Sequence, residues 1–192
     1  ESARKPGMDW QGWQRRMFGM GETLAYPFAF LGLLLTPVGF VSFCFLTGVL
    51  LYVSYADMRW RIIPNRAVFA AACFWLFLVA AECLAGEPAR AAARFLTGAA
   101  GAVFLGGFAL LSATVLDRAL SKDSLGGGDV KLLAAMGLYL GPEAGLSVLF
   151  FACVFMLALA VLAVVLGRSA SGPYPFAPFL TCGVLFAALV GV

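Results

Sequence analysis

The stretch 144–167 reads AGLSVLFFACVFMLALAVLAVVLG and carries no charged residue in any position. A helix of about 20 apolar residues is long enough to cross a hydrocarbon core about 30 Å thick. Comparable charge-free runs occupy 23–56, 67–81, 95–116 and 169–192. Over the whole chain of 192 residues 62% are hydrophobic and 12% are charged, against about 25% charged in soluble domains. The sequence therefore predicts an all-α, polytopic membrane helix bundle.

The first charge-free run, 23–56, is too long for one crossing and is divided near Pro37 and Gly39. This division predicts six core transmembrane helices and one additional N-terminal span within a single domain over 23–192. The predicted spans are 23–37, 40–57, 66–85, 94–116, 129–141, 143–166 and 176–192. With the N-terminus inside, the lysines and arginines fall on the inner face except Arg90 and Arg94, as the positive-inside rule requires.

Residues 1–22 differ from the rest of the chain because they are mostly polar. Trp10, Trp13 and Met17 recur at helical spacing, which is compatible with an amphipathic helix lying on the inner membrane surface. A flexible N-terminal segment fits the composition as well, and both interpretations stay open.

The absence of certain residue types excludes several kinds of catalytic site. The chain has no histidine, so a Ser-His or Cys-His nucleophile and a histidine-ligated metal are excluded. Its five cysteines form no C-x-x-C pair, and we expect no metal and no other cofactor. A net charge of +3 does not favour nucleic acid as a partner. Acid–base chemistry in this chain would have to use carboxylates.

Two aspartates stand in unusual positions. Asp57 ends the predicted span 40–57, and Asp129 follows Gly126, Gly127 and Gly128 at the start of a short span. In the predicted topology both aspartates lie at the inner face. An ionisable residue at the edge of a membrane span is a candidate for function.

The turn after Asp57 is set by Pro64. Proline disfavours the α conformation of the residue before it, Ile63, so the helix that carries Asp57 must end there. Asn65 is then placed to cap the next helix. This turn would hold Asp57 near the exit of its span.

Purely structural interpretations exist for both aspartates. Asp129 could cap the helix that follows it, and Asp57 could pair with Arg61 one turn later. Alternatively, the two carboxylates face each other across a site that water can reach. Two carboxylates so close cannot both be ionised, so they would share a proton. This arrangement can hydrolyse a peptide bond without a covalent intermediate.

Three segments together resemble the type IV prepilin peptidases, membrane aspartic proteases with a G-x-G-D signature. They are DMRWRIIPN at 57–65, GGGDVK at 126–131 and PFAPFL at 175–180. The resemblance implies catalytic roles for Asp57 and Asp129, with substrate or loop support from six further residues: Gly126, Gly127, Gly128, Lys131, Pro64 and Asn65.

The resemblance also implies a substrate and a location. Members of this family remove the basic leader that precedes the hydrophobic helix of prepilins and pseudopilins. They act at the cytoplasmic face of the bacterial inner membrane, where membrane lipids surround the enzyme. Larger members also methylate the new N-terminus through a domain with two C-x-x-C pairs. This chain has no such pair, so we do not expect methyl transfer.

Two other functions are compatible with paired membrane carboxylates. A proton-coupled transporter can use them, but such proteins place them near the middle of the bilayer, in broken helices related by a repeat. We detect no internal repeat in this sequence. A membrane scaffold without catalytic activity would leave the two aspartate motifs unexplained.

Overall fold

The computed structural model describes residues 37–120, 126–167 and 175–191, and these residues form helices and no strand. The five helices are α1 (Pro37–Trp60), α2 (Asn65–Leu84), α3 (Pro88–Leu120), α4 (Gly127–Val165) and α5 (Ala177–Val190). Helices α1 to α4 are long and apolar enough to cross a membrane, and α5 is a shorter apolar helix. The all-helical membrane fold predicted from the sequence is confirmed.

The predicted spans from 40–57 onward coincide with these helices within a few residues, except that α3 extends beyond 94–116 at both ends. Span 23–37 and the segment 1–22 lie outside the described residues, apart from Pro37. Prolines mark several boundaries: Pro64 precedes α2, Pro88 begins α3, and a proline occupies the first turn of α5.

Helix α4 is two antiparallel arms joined at Gly141. Gly141 has φ 71° and ψ −177°, a conformation that glycine adopts without the steric cost of a Cβ, and Pro142 follows it. Before this point α4 runs against α3, with Ala134 beside Gly106. After it the direction reverses, with Gly145 beside Leu105. The predicted division of this region into 129–141 and 143–166 is therefore confirmed.

Small residues let α3 and α4 approach closely. A Cβ added to Gly101 would overlap the backbone of Gly137 and of Gly141, and a Cβ on Gly98 would overlap the carbonyl oxygen of Leu138. Within lipid, burial of apolar surface does not drive helices together, so close van der Waals contact takes its place. These glycines therefore make the α3–α4 contact possible.

The outer surface of the bundle is apolar, as expected of helices that face lipid. Large exposed side chains include Phe69, Phe77, Leu96, Val103, Phe150 and Leu157.

Charged side chains gather at the two ends of the bundle in the described residues. One end, where α1 ends and α4 begins, carries Asp57, Arg59, Arg61, Arg66, Asp117, Arg118, Asp129 and Lys131. The opposite end, near the α2–α3 connection and the Gly141 turn, carries Glu82, Glu87, Arg90, Arg94 and Glu143. The first end is thus the more basic, and it holds both candidate aspartates.

Candidate active site

Asp57 lies in the last turn of α1 and is 9% exposed. Its carboxylate Oδ2 accepts a hydrogen bond of 3.1 Å from the backbone N–H of Ala177. Ala177 is the first residue of α5 and is fully buried. Since the first turn of a helix has backbone N–H groups without an intrahelical partner, the Asp57 carboxylate satisfies one of them. Asp57 thus connects the end of α1 to the start of α5.

A second polar contact joins the same two helices one turn away. Ser54 Oγ lies 2.7 Å from Thr181 Oγ1, and both side chains are buried. The Thr181 hydroxyl also lies 3.1 Å from the carbonyl oxygen of Ala177. Helices α1 and α5 are therefore linked by polar groups at two successive turns.

Asp129 lies in the first turn of α4 and is half-buried. Its carboxyl group is hydrogen-bonded to the backbone of Gly126, as when the third residue of a helix reaches back to the capping position. The interpretation of Asp129 as the capping residue is wrong, because Gly126 holds the capping position and Asp129 lies inside the first turn. Asp129 is close enough to Asp57 for the two carboxyl groups to interact electrostatically.

The turn between α1 and α2 packs directly against the glycine segment. A Cβ placed on Gly128 would lie 3.0 Å from the Cβ of Ile63, which is closer than ordinary van der Waals contact. Helix α1 ends at Trp60, as the proline at position 64 predicts, and Arg61 adopts a positive φ of 53°. The segment before Asp129 thus rests on the turn that follows Asp57.

Lys131 and Asn65 form a further contact at this end of the bundle. Lys131 Nζ donates a hydrogen bond of 3.1 Å to Asn65 Oδ1. The prediction that Asn65 caps α2 is wrong, because the capping position is Pro64 and no side chain caps this helix. Asn65 is already inside the first turn, so its amide oxygen is available to Lys131 instead.

The described ion pairs do not include Asp57. They join Arg90 to Glu87 and Arg94 to Glu82, at the opposite end of the bundle. The suggested pairing of Asp57 with Arg61 is not observed among them: the contact from Arg61 is its backbone N–H, which donates to the Asp57 carbonyl oxygen at 2.9 Å.

The remaining predicted site residues, Gly126 and Gly127, are exposed, and no atom lies within 4 Å of a Cβ built on Gly127. In the described residues no cluster of three histidine, cysteine, aspartate or glutamate side chains could hold a metal ion.

The partners of Asp57 on α5 were missed by the sequence reasoning. Signals for them were present, since Pro178 in the first turn fixes the start of a helix and Thr181 is a polar residue in an apolar run. Neither signal indicates which helix lies opposite. Pro178 does lie in the first turn of α5.

Chemically, the arrangement brings together two carboxyl groups from different helices. One is buried and held by a backbone N–H, and the other is half-buried next to a glycine segment. The arrangement thus places two acidic groups where each acts on the charge of the other.

The sequence of this chain is similar to those of known proteins. The sequence profile of the type IV leader peptidase family matches residues 44–162, a region that contains both aspartates. A prepilin leader peptidase/N-methyltransferase of Bacillus subtilis (strain 168) is 33% identical over 145 residues, which cover 75% of this chain and 53% of that protein. The chain thus spans about half the length of this relative. No solved structure matches the chain significantly. The chain belongs to the type IV leader peptidase family.

Proposed function

We propose that this protein is an aspartic endopeptidase that removes the leader peptide of type IV prepilins or pseudopilins, with Asp57 and Asp129 as its catalytic residues. The family membership supports the reaction class. The observation that carries the proposal is the approach of two carboxyl groups, 72 residues apart in the chain, to within electrostatic reach at one end of the bundle.

In the proposed reaction a water molecule lies between the two carboxyl groups. The ionised carboxylate takes a proton from the water, whose oxygen attacks the carbonyl carbon of the scissile peptide bond. The protonated carboxyl group donates its proton to the carbonyl oxygen. Collapse of the resulting tetrahedral species breaks the C–N bond as the nitrogen receives a proton, which leaves a carboxylic acid and an amine. General acid and base catalysis of this kind contributes about 10² to 10⁴ in rate for each group.

The position of the aspartates supports hydrolysis over proton-coupled transport. Asp57 is three residues from the end of α1, and Asp129 lies in the first turn of α4. A transporter would place such groups near the middle of the bilayer, within broken helices. Sites at helix ends are within reach of both water and an extended peptide.

The charge distribution supports a cytoplasmic site. Arg59, Arg61, Arg66, Arg118 and Lys131 share the end of the bundle that carries the aspartates, and an excess of basic residues marks cytoplasmic loops. We therefore propose that the aspartates face the cytoplasm at the bacterial inner membrane. There they would meet the junction between a basic leader and a hydrophobic helix.

Cleavage of a co-expressed prepilin by Asp57→Asn and Asp129→Asn variants tests the proposal. Asparagine keeps the shape of the side chain, and its amide oxygen can still accept the hydrogen bond from Ala177. It cannot act as a general acid or a general base at neutral pH. We expect both variants to accumulate in the membrane as folded protein and to leave the prepilin uncut.

Asp117→Asn is the matched control, since it removes an aspartate charge from the same end of the bundle but from α3. We expect this variant to cleave at the wild-type rate. Leader removal by either Asp57→Asn or Asp129→Asn at more than a few per cent of the wild-type rate would contradict the proposed mechanism.

A further inference from the structure

We propose that Ser54 and Thr181 are positioning residues, which hold α5 in register against α1 and thereby fix the Asp57 carboxylate in its reactive position. This inference rests on the proposed function, because it assigns a role in the same site. Neither hydroxyl touches the substrate or the reacting atoms in this assignment. Each acts through Asp57.

The argument begins with a closed ring of contacts. The carboxylate of Asp57 accepts from the Ala177 N–H at 3.1 Å, and the carbonyl oxygen of Ala177 lies 3.1 Å from the Thr181 hydroxyl. Thr181 Oγ1 is 2.7 Å from Ser54 Oγ, and Ser54 is one turn before Asp57 on α1. Both backbone polar groups of Ala177, its N–H and its carbonyl oxygen, therefore have a side-chain partner.

The proton donors in this ring are determined by counting. A hydroxyl group has one proton to donate and two lone pairs that accept. When Thr181 donates to Ala177, Ser54 must donate to Thr181. Ser54 Oγ, Asp57 Oδ2 and Thr181 Oγ1 then each have a partner, and the Thr181 hydroxyl also lies 3.4 Å from the carbonyl oxygen of Leu50 on α1. A slip of α5 along α1 by one residue would break the contacts that cross between the two helices, Ser54 to Thr181 and Asp57 to Ala177.

These contacts matter because little else fixes the register of two helices in lipid. Lipid and the helix surfaces are both apolar, so apolar side chains of two helices can slide past one another at a small cost in free energy. An interhelical hydrogen bond, in contrast, has a defined geometry. Leu180 and Val184, which neighbour Thr181 on the buried face of α5, are fully buried apolar residues. They supply contact area, but they do not specify a unique longitudinal position. The hydroxyl pair does.

The test is steady-state cleavage of a purified prepilin by Thr181→Val in liposomes, with rates expressed per folded enzyme. Valine keeps the volume of threonine and removes the hydroxyl. A displacement of about 1 Å in a reacting group can lower a rate by up to about 100-fold, so we expect kcat to fall by about 10-fold or more with KM within twofold. Thr181→Ser keeps the hydroxyl and should restore most of kcat.

Ser54→Ala removes the other partner and covers the case in which Thr181→Val does not fold. It should lower kcat in the same way, and the double variant should be no slower than the slower single variant, since both changes break the same Ser54–Thr181 contact. Thr114→Val is the matched control. The hydroxyl of Thr114 donates to the Leu111 carbonyl oxygen within its own helix, so its removal should leave kcat unchanged.

Different outcomes separate this inference from the proposed function. If Asp57→Asn and Asp129→Asn are inactive but Thr181→Val and Ser54→Ala keep kcat within twofold of the wild type, the positioning role is refuted and the peptidase stands. If the valine variant only unfolds at a lower temperature, with unchanged kcat per folded enzyme, the hydroxyl pair is purely structural and the inference fails. Cleavage by the aspartate variants would refute the proposed function itself.

Discussion

Replacement of Gly128 by alanine should impair catalysis through the turn that follows Asp57. The added Cβ would lie 3.0 Å from the Cβ of Ile63, with the Ile63 Cδ1 at 3.4 Å and Cγ1 at 3.5 Å. Carbon atoms in favourable contact are about 3.5 to 4.0 Å apart, so one of the two segments must give by a few tenths of an ångström. The residue next to Gly128 is Asp129, so a shift of this segment changes the position of the Asp129 carboxyl group relative to Asp57.

The magnitude follows from this displacement. A misplacement of about 1 Å can cost up to about 100-fold in rate, so we expect the smaller shift in Gly128→Ala to lower kcat by up to about 10-fold. Overpacking costs about 1 to 3 kcal/mol, but alanine stabilises a helix by up to about 1 kcal/mol relative to glycine. The net loss of folding stability should therefore be about 0 to 2 kcal/mol, and rates are expressed per folded enzyme.

Gly127→Ala is the control for this prediction. It makes the same chemical change one residue earlier, in the same helical turn, where no atom lies within 4 Å of the new Cβ. We expect its kcat to remain within twofold of the wild type. Cleavage of a purified prepilin in liposomes, followed by gel shift, measures both variants.

Two results would refute the reasoning about Gly128. One is a Gly128→Ala enzyme with wild-type kcat, which would mean that the turn yields without moving Asp129. The other is an equal loss in Gly127→Ala, which would mean that the flexibility of the glycine segment matters rather than its contact. Addition of Ile63→Ala to Gly128→Ala removes Cγ1 and Cδ1 but keeps the Ile63 Cβ, and it should restore only part of the activity.

Further predictions concern parts of the bundle away from the two carboxyl groups. Gly101→Ala should destabilise the α3–α4 contact by about 1 to 3 kcal/mol, which would lower the thermal unfolding temperature measured in detergent. Gly107→Ala is the control and should not lower it, because a Cβ at Gly107 faces open space. Equal unfolding temperatures for the two variants would contradict this prediction. Glu82→Gln removes the charge that faces the half-buried Arg94, whose guanidinium lies 2.7 Å from the Glu82 carboxylate, and should cost about 1.5 to 3 kcal/mol of stability with kcat unchanged. A slower enzyme with normal stability would show that the two ends of the bundle are coupled. Lys131→Met should cleave prepilin at a rate within twofold of the wild type, since the hydrogen bond of Lys131 goes to Asn65 on α2. A much lower cleavage rate would indicate that Lys131 is part of the active site.

The helices of this protein could be predicted from its sequence because lipid imposes a simple rule on their composition. The spans predicted from the charge-free runs, with the first run divided near Pro37 and Gly39, match α1 to α5 within a few residues, apart from the ends of α3. The predicted spans 129–141 and 143–166 correspond to the two arms of α4 on either side of Gly141. The positive-inside count also predicted that Asp57 and Asp129 lie at the same end, and the described helices agree.

The partners of the site residues could not be predicted in the same way. The contact between Asp57 and Ala177 joins residues 120 positions apart, and no local pattern encodes it. The capping prediction for Asn65 was wrong because Pro64 holds the capping position, while Lys131, 66 positions away, binds the amide oxygen. Such contacts depend on which helices are neighbours, and a stretch of apolar residues does not specify its neighbours.

The unequal arms of α4 determine how deep the aspartates lie. Asp129 is 12 residues before Gly141, about 18 Å along the first arm, whereas the second arm returns over residues 142–165, about 36 Å. The second arm is therefore longer than the first part by about 18 Å, and it extends past the level of Asp129. A hydrocarbon core about 30 Å thick that meets the Gly141 turn would extend beyond Asp129, so water must enter from the side where the longer arm ends. A substrate helix could then remain in the lipid while the bond next to it reaches that water.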